Sequence, residues 1–150
     1  MKYAHNIEMR VFCKEDDDEE QIIKIIHSLF PFDFEKERIE FQSEKVVTFE
    51  KKKIKIFKVF IKKERHTSKF LKNFFSQFTP DQKDLLKKQL SSRLDERLHF
   101  YIRLDKPKLL QGGYWITDAG DCFHFNICIA AYPHKREVAQ KIVSKMLHLY

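Results

Sequence analysis

FYIRLDKPKLLQGG, residues 100–113, decides the fold. Phe100, Ile102 and Leu104 alternate with Tyr101, Arg103 and Asp105, which is the period of a strand with one apolar and one polar face. Pro107 stops the ladder because it has no amide hydrogen to donate, and Gly112-Gly113 lets the chain turn. A strand so divided belongs to a sheet whose helices cover one face only. Its polar end, Arg103, Asp105 and Lys106, is either a working site or the place where a strand reaches solvent, with Asp105 free to pair with Lys106, Arg103 or a nearby helix end.

The same patterning continues outward from this strand. Ile7, Met9, Val11 and Cys13 alternate with Glu8, Arg10 and Phe12 in a first strand. KEDDDEEQIIKIIHSLF follows, with six acidic residues ahead of Ile22, Ile23, Ile26, Leu29 and Phe30 at helical spacing. Carboxylates in a first helical turn are favoured by capping and by the helix dipole, and no glycine-turned ligand loop makes them a cation site. Stretches 39–49 and 54–61 read as a hairpin joined at Glu50-Lys51-Lys52-Lys53. The apolar phase changes between Ile54, Ile56 and Phe57, Val59, Ile61, which predicts a bulge or a strand covered on both faces.

Phe70, Leu71, Phe74, Phe75 and Phe78 share one face of a helix and are core. TPDQ supplies Thr79 as N-cap, Pro80 at the first helical position and Gln82 to complete a capping box, with Leu85, Leu86, Leu90 and Leu94 continuing that helix. Stretches 114–117 and 122–131 read as a hairpin across DAGD, with Phe123, Phe125, Ile127 and Ile129 buried. After Pro133 a last helix carries Val138, Ala139, Ile142, Val143, Met146 and Leu147 on one side. The expected architecture is α+β, a mainly antiparallel sheet with helices packed on one face, in the order βαββααβββα.

Composition bounds the function. No linker, repeat or low-complexity segment divides the 150 residues, so 1–150 reads as one domain, and 43% hydrophobic content with 15 phenylalanines supports a packed core. Cys13, Cys122 and Cys128 lack Cys-x-x-Cys spacing and sit in apolar runs, which suits a reducing, cytoplasmic setting. No stretch has the length of a spanning helix, so no membrane partner is expected. Three glycines, Gly112, Gly113 and Gly120, cannot build a Walker loop or a dinucleotide fingerprint, and the seven histidines show no metal-ligand spacing. His124 with Cys122 or Cys128 lacks an orienting third group. The reading is therefore a protein without catalytic residues, metal or cofactor.

Two features remain, set against a net charge of +7 and a pI near 9.3. The first is the bare sheet face, where Glu8 and Arg10, His99, Tyr101 and Arg103, and His124, Asn126 and Cys128 should lie. Arginine pairs with phosphate or stacks on a base, tyrosine stacks, and histidine or asparagine bonds base edges and sugar hydroxyls, so the face suits RNA; a solvated face or a dimer contact is the alternative. The second is a basic arc, Lys51, Lys52, Lys53, Lys55 and Lys58, continued by Lys62, Lys63, Arg65, Lys69 and Lys72. From Glu50 to Arg65 eight basic residues stand against two acidic ones. Such density is a polyanion footprint or a lysine-protected sheet edge.

YIRLDK, GDCFHFNICIAAYPHKREVA and the opening IEMRVFCKEDDDEEQIIKII together resemble the archaeal RNA-binding proteins described as predicted exosome subunits. The resemblance spans nearly the whole chain, strongest over 100–138 and weakest over 51–78. It implies a fold like the ribosomal protein that binds the smallest large-subunit RNA, and RNA as partner within an RNA-processing assembly. Pro107-Lys108 departs from the glutamine and small residues expected after RLDK. The candidate RNA-binding residues are Arg10, Lys51, Lys52, Lys53, Lys55, Lys62, Lys63, Arg65, Tyr101, Arg103, Lys106, His124 and Asn126. The rival is a protein-interaction module that dimerises through the sheet face or edge strand.

Overall fold

Alternation in β1 (Ala4–Cys13) buries Ile7, Met9, Val11 and Cys13 and leaves Glu8, Arg10 and Phe12 on the other side. The structure, a computed structural model, describes residues 2–150. β1 is the central strand of a five-stranded antiparallel sheet ordered β2-β3-β1-β5-β4, where β2 is Glu40–Val47, β3 Lys53–Ile61, β4 His99–Asp105 and β5 Cys122–Ile129. The helices are α1 (Glu19–Leu29), α2 (Glu64–Ser76), α3 (Pro80–Lys88), α4 (Leu90–Arg93), α5 (Lys106–Leu110) and α6 (Arg136–Leu149). None is long and apolar enough to cross a membrane among the described residues.

The expected α+β layout holds, and α1, α3 and α5 each start at a residue whose side chain accepts from a first-turn amide. Asp18 caps α1 by accepting from the Gln21 amide, with Glu19 and Glu20 in the first turn, as the acidic run suggested. α2 lays Phe70, Leu71, Phe74 and Phe75 against the sheet, where Phe74 sits 4.6 Å from Phe125 and 5.0 Å from Phe70 between ring centroids. Burying such a ring stabilises by roughly 1.5–3 kcal/mol. Ala139, Val143, Met146 and Leu147 bury one face of α6. With the helices gathered on the face of Ile7, Met9, Ile102 and Phe125, the alternate positions of β1, β4 and β5 stay half-buried or exposed.

Three local readings are corrected. The ladders of β3 with β1 and β2 run without a register shift, so the phase change is no bulge: Phe57, Val59 and Ile61 face the core, while Ile54, Ile56 and Phe60 are only half-buried. Among the described residues the one register shift lies between Ala4 and Asn6. Residues 114–117 do not pair with β5. Ile116 instead bridges Leu104, with Asp105 donating to the Trp115 carbonyl and Thr117 donating to that of Arg103. That pairing draws Gln82 away from its expected reciprocal bond. Thr79 caps α3 by accepting from the Gln82 amide, but the buried Gln82 Oε1 accepts from Ile116 N at 2.8 Å.

Candidate nucleic-acid interface

Directly paired residues of antiparallel strands share a face, so register determines which charges meet. Gln42, Lys58, Arg10, His124 and Arg103 stand opposite one another on β2, β3, β1, β5 and β4. Strands lie about 4.8 Å apart, so the part from Lys58 to Arg103 spans roughly 14 Å. Among the described residues, Lys58, Arg10 and Arg103 share no ion pair with a carboxylate. The neighbouring row is Glu40, Phe60, Glu8, Asn126 and Tyr101. Glu8, Arg10, Tyr101, His124 and Asn126 line a depression of about 230 Å³ between the two rows. Four nominated residues thus converge, and Arg103 flanks them.

The polar side chains here are held in place. Tyr101 donates its hydroxyl to Asp95 Oδ2 at 3.1 Å, and Asp95 Oδ1 accepts from the amides of His99 and Arg97, each at 2.9 Å. Burial by itself would raise the Asp95 carboxyl, but the His99 amide, the Tyr101 hydroxyl and the Arg97 amide outweigh it and hold it below the usual carboxylate range. Burial and that anionic partner push the Tyr101 phenol up, so it remains a donor. Asn126 Oδ1 accepts from His99 Nδ1 at 2.8 Å. The Tyr101 ring, flanked by His99 at 6.3 Å and His124 at 5.8 Å between centroids, is pinned rather than loose.

Half-burial, then Arg103, then Arg10 push the His124 imidazole below its ordinary value. The unfolded chain takes up that proton at higher pH, so the fold loses stability as pH falls from about 6.5 through the depressed value. A proton NMR titration of the His124 ring should show a midpoint below 6.5, and Arg103→Gln should move it partway back. An unmoved midpoint would show that the two side chains do not sense each other.

The basic arc is not one patch. Nine residues of β3 separate its ends, a distance of roughly 30 Å, with Lys51, Lys52 and Lys53 at the hairpin and Lys62, Lys63 and Arg65 beyond the other end. Several of its charges are already taken. Lys55 points to the helix side and pairs with Glu19, Arg65 pairs with Glu37, and Lys52 lies 3.5 Å from Glu50. Lys51, Lys62 and Lys63 are exposed. Lys58, read as part of the arc, belongs to the sheet row, and its parity with Ile56 and Phe60 was the available signal.

Lys106 is a correction: its residue is 1% exposed and no phosphate reaches it. Asp105 ends β4 and caps α5 by accepting from the Lys108 amide, with Pro107 in the first turn, and this reversal turns Lys106 inward. Its ammonium donates to Asp17 Oδ2 at 2.7 Å and Phe12 O at 2.9 Å, and it lies 2.9 Å from Asp121 Oδ2. The three cysteines are free thiols, Cys13 buried and Cys122 and Cys128 half-buried. Burial pushes Cys13, Cys122 and Cys128 upward.

A family model described as RNA binding matches residues 6–130, from β1 to just past β5. The chain belongs to this RNA-binding family. The RNA-binding protein PAB1135 of Pyrococcus abyssi is 29% identical over 144 residues, covering 96% of this chain and 94% of the relative. Mth689, a DUF54 protein of Methanothermobacter thermautotrophicus, superposes with a TM-score of 0.77 at 27% identity over 97% of this chain and 99% of that one. Protein AF2318 of Archaeoglobus fulgidus shares the fold, with a TM-score of 0.80 at 24% identity over 95% and 99%. Both the sheet row and the hairpin lie inside the span matched to the RNA-binding family.

Proposed function

We propose that this member of the RNA-binding family is a single RNA-binding domain that holds RNA on its bare sheet face, with phosphates along Lys58, Arg10 and Arg103 and a base or ribose at Tyr101, His124 and Asn126. The observation that carries this reading is the row itself, Lys58, Arg10 and Arg103 in register across β3, β1 and β4 with His124 of β5, and no carboxylate, between the two arginines. Arginine suits the role because its planar fork matches phosphate in two-pronged fashion. The name of the Pyrococcus relative supports the same partner. The activity is binding without catalysis, in the cytoplasm, alongside a larger RNA-processing assembly such as the exosome.

Filter-binding titrations against single-stranded RNA, duplex RNA and DNA at two salt concentrations test the proposal. Three phosphates neutralised on a single strand give a log-log salt slope near ~2, and a contribution from the three hairpin lysines raises it toward ~4. Binding that is absent at low salt, or indifferent to salt, would overturn the reading. Phe12, 47% exposed on the same face opposite Ile56, favours a protein contact as the second reading. A stable dimer by sedimentation, lost on Tyr101→Glu and accompanied by no RNA binding, would establish it.

A further inference from the structure

The hairpin between β2 and β3 carries features that sheet stability does not explain. Its ladder outruns the central strand: the last β1 residue, Cys13, pairs with Lys55, while β2 and β3 continue to Val47 opposite Lys53. Beyond that pair, Thr48 N donates to Lys52 O at 2.8 Å and Lys51 N to Thr48 O at 2.9 Å, so the loop is Phe49, Glu50 and Lys51. Lys51 has φ 61°, the left-handed position such three-residue loops usually give to glycine. Phe49 at the turn's first corner is fully exposed. Of the fifteen phenylalanines only Phe12 and Phe49 are exposed, and the others are buried or half-buried.

A tip that served only solubility or edge protection would need the lysines and no aromatic ring. A tip built for a protein groove would be poorly served by three successive lysines. A ring flanked by cations fits one chemistry better, a base face with phosphates on either side. The acids beneath the hairpin are largely engaged, Glu19 by Lys55, Asp17 by Lys106 and Glu15 by the Lys53 amide. The exposed Lys52–Glu50 pair is weak and yields readily to phosphate.

We propose that Phe49 is a base-stacking residue: the hairpin tip takes an unpaired nucleobase of single-stranded RNA on the Phe49 ring, while Lys51, Lys52 and Lys53 hold the adjoining phosphates. This rests on the RNA-binding reading above and extends it to a second site, roughly 20 Å along β3 from Lys58. Stacking on a bare ring discriminates paired from unpaired bases, because a duplex keeps its faces covered. It is indifferent to sequence, because every base has a π-face.

The test is fluorescence titration with an oligoadenylate carrying 2-aminopurine, set beside the same strand in an RNA duplex. Phe49→Ala should weaken single-strand binding about 5- to 100-fold, abolish the 2-aminopurine quenching, leave duplex binding unchanged and leave the salt slope unchanged; Phe49→Tyr should retain all four properties of the parent. Unaltered single-strand affinity in Phe49→Ala, with binding still weakened by Arg10→Gln, would overturn the stacking site and leave the sheet-face reading standing. Equal loss on single strand and duplex would also overturn it, as would a change in sedimentation mass without a change in RNA affinity. Failure of the unaltered chain to bind either RNA would sink both.

Discussion

Lys106→Met is expected to destabilise the fold by about 3–5 kcal/mol, read as a lower urea midpoint at unchanged slope. The substitution keeps most of the side-chain volume and removes the charge together with the N–H donors. Left behind are the Asp17 carboxylate, the Phe12 carbonyl and an Asp121 carboxylate that still has Lys14 at 3.2 Å. Asp17 loses its only side-chain cation within ion-pair distance among the described residues. Adding Asp17→Asn should therefore recover part of the loss, whereas Lys14→Met, removing an exposed partner, should cost at most about 1 kcal/mol. A Lys106→Met deficit below about 1 kcal/mol would show the cluster to be solvated.

The same cluster fixes an acid dependence. Burial alone pushes Asp17 up, but the Lys106 ammonium and the Lys14 amide outweigh it and hold the carboxyl below its ordinary value. Stability from that pairing is complete above the unfolded value near 3.9 and is lost as pH falls through the depressed one. In Lys106→Met only the burial effect and the weaker partners remain, so the Asp17 carboxyl should rise and take up its proton in mild acid. The deficit of the variant should accordingly be largest at neutral pH and shrink as pH falls toward 4. A constant deficit would mean that packing, not charge, makes Lys106 matter.

Lys106 also shows where sequence reading stops. Alternation identifies β1, β4 and β5, because one face of each strand is buried and the other is not, and helical spacing identifies α1, α2 and α6 for the same reason. Both are local properties. The inward turn of Lys106 depends on three partners in distant segments, Phe12, Asp17 and Asp121. No spacing announces them. The pairing of Ile116 with Leu104 rather than with β5 likewise depends on Gln82 being near enough to accept from Ile116, 34 residues along the chain. For the candidate site, Arg10, Tyr101, Arg103, His124 and Asn126 were legible as face residues from parity alone. Their convergence needed the β3-β1-β5-β4 order, which also places Lys58 in the row, whereas the length of β3 alone separates Lys62 and Lys63 from Lys51.

That order makes the row costly, which gives the sharpest functional prediction. Arg10 stands directly opposite Lys58, and His124 keeps Arg10 and Arg103 only two strand spacings apart. Like charges placed opposite each other in a sheet destabilise it by a few tenths of a kcal/mol or more, so the row opposes folding and needs another reason to exist. Replacing Arg10, Lys58 and Arg103 together by Gln should leave the protein at least as resistant to urea as the parent. The same variant should lose about 100-fold in single-stranded RNA affinity at 0.1 M salt, with the salt slope falling by ~2, because each lost phosphate contact contributes about 0.7 to the exponent. Lys62→Gln with Lys63→Gln, the same type of change outside the row, should do far less. In the parent, affinity should rise as pH falls toward the depressed His124 value, because protonated His124 adds a fourth cation that phosphates stabilise; the triple variant should keep little of that rise. Gained stability with lost binding separates a binding surface from a scaffold, since a scaffold has nothing to lose when mutual repulsion is removed. Unchanged RNA affinity in the triple variant would mean that the sheet face is not the site.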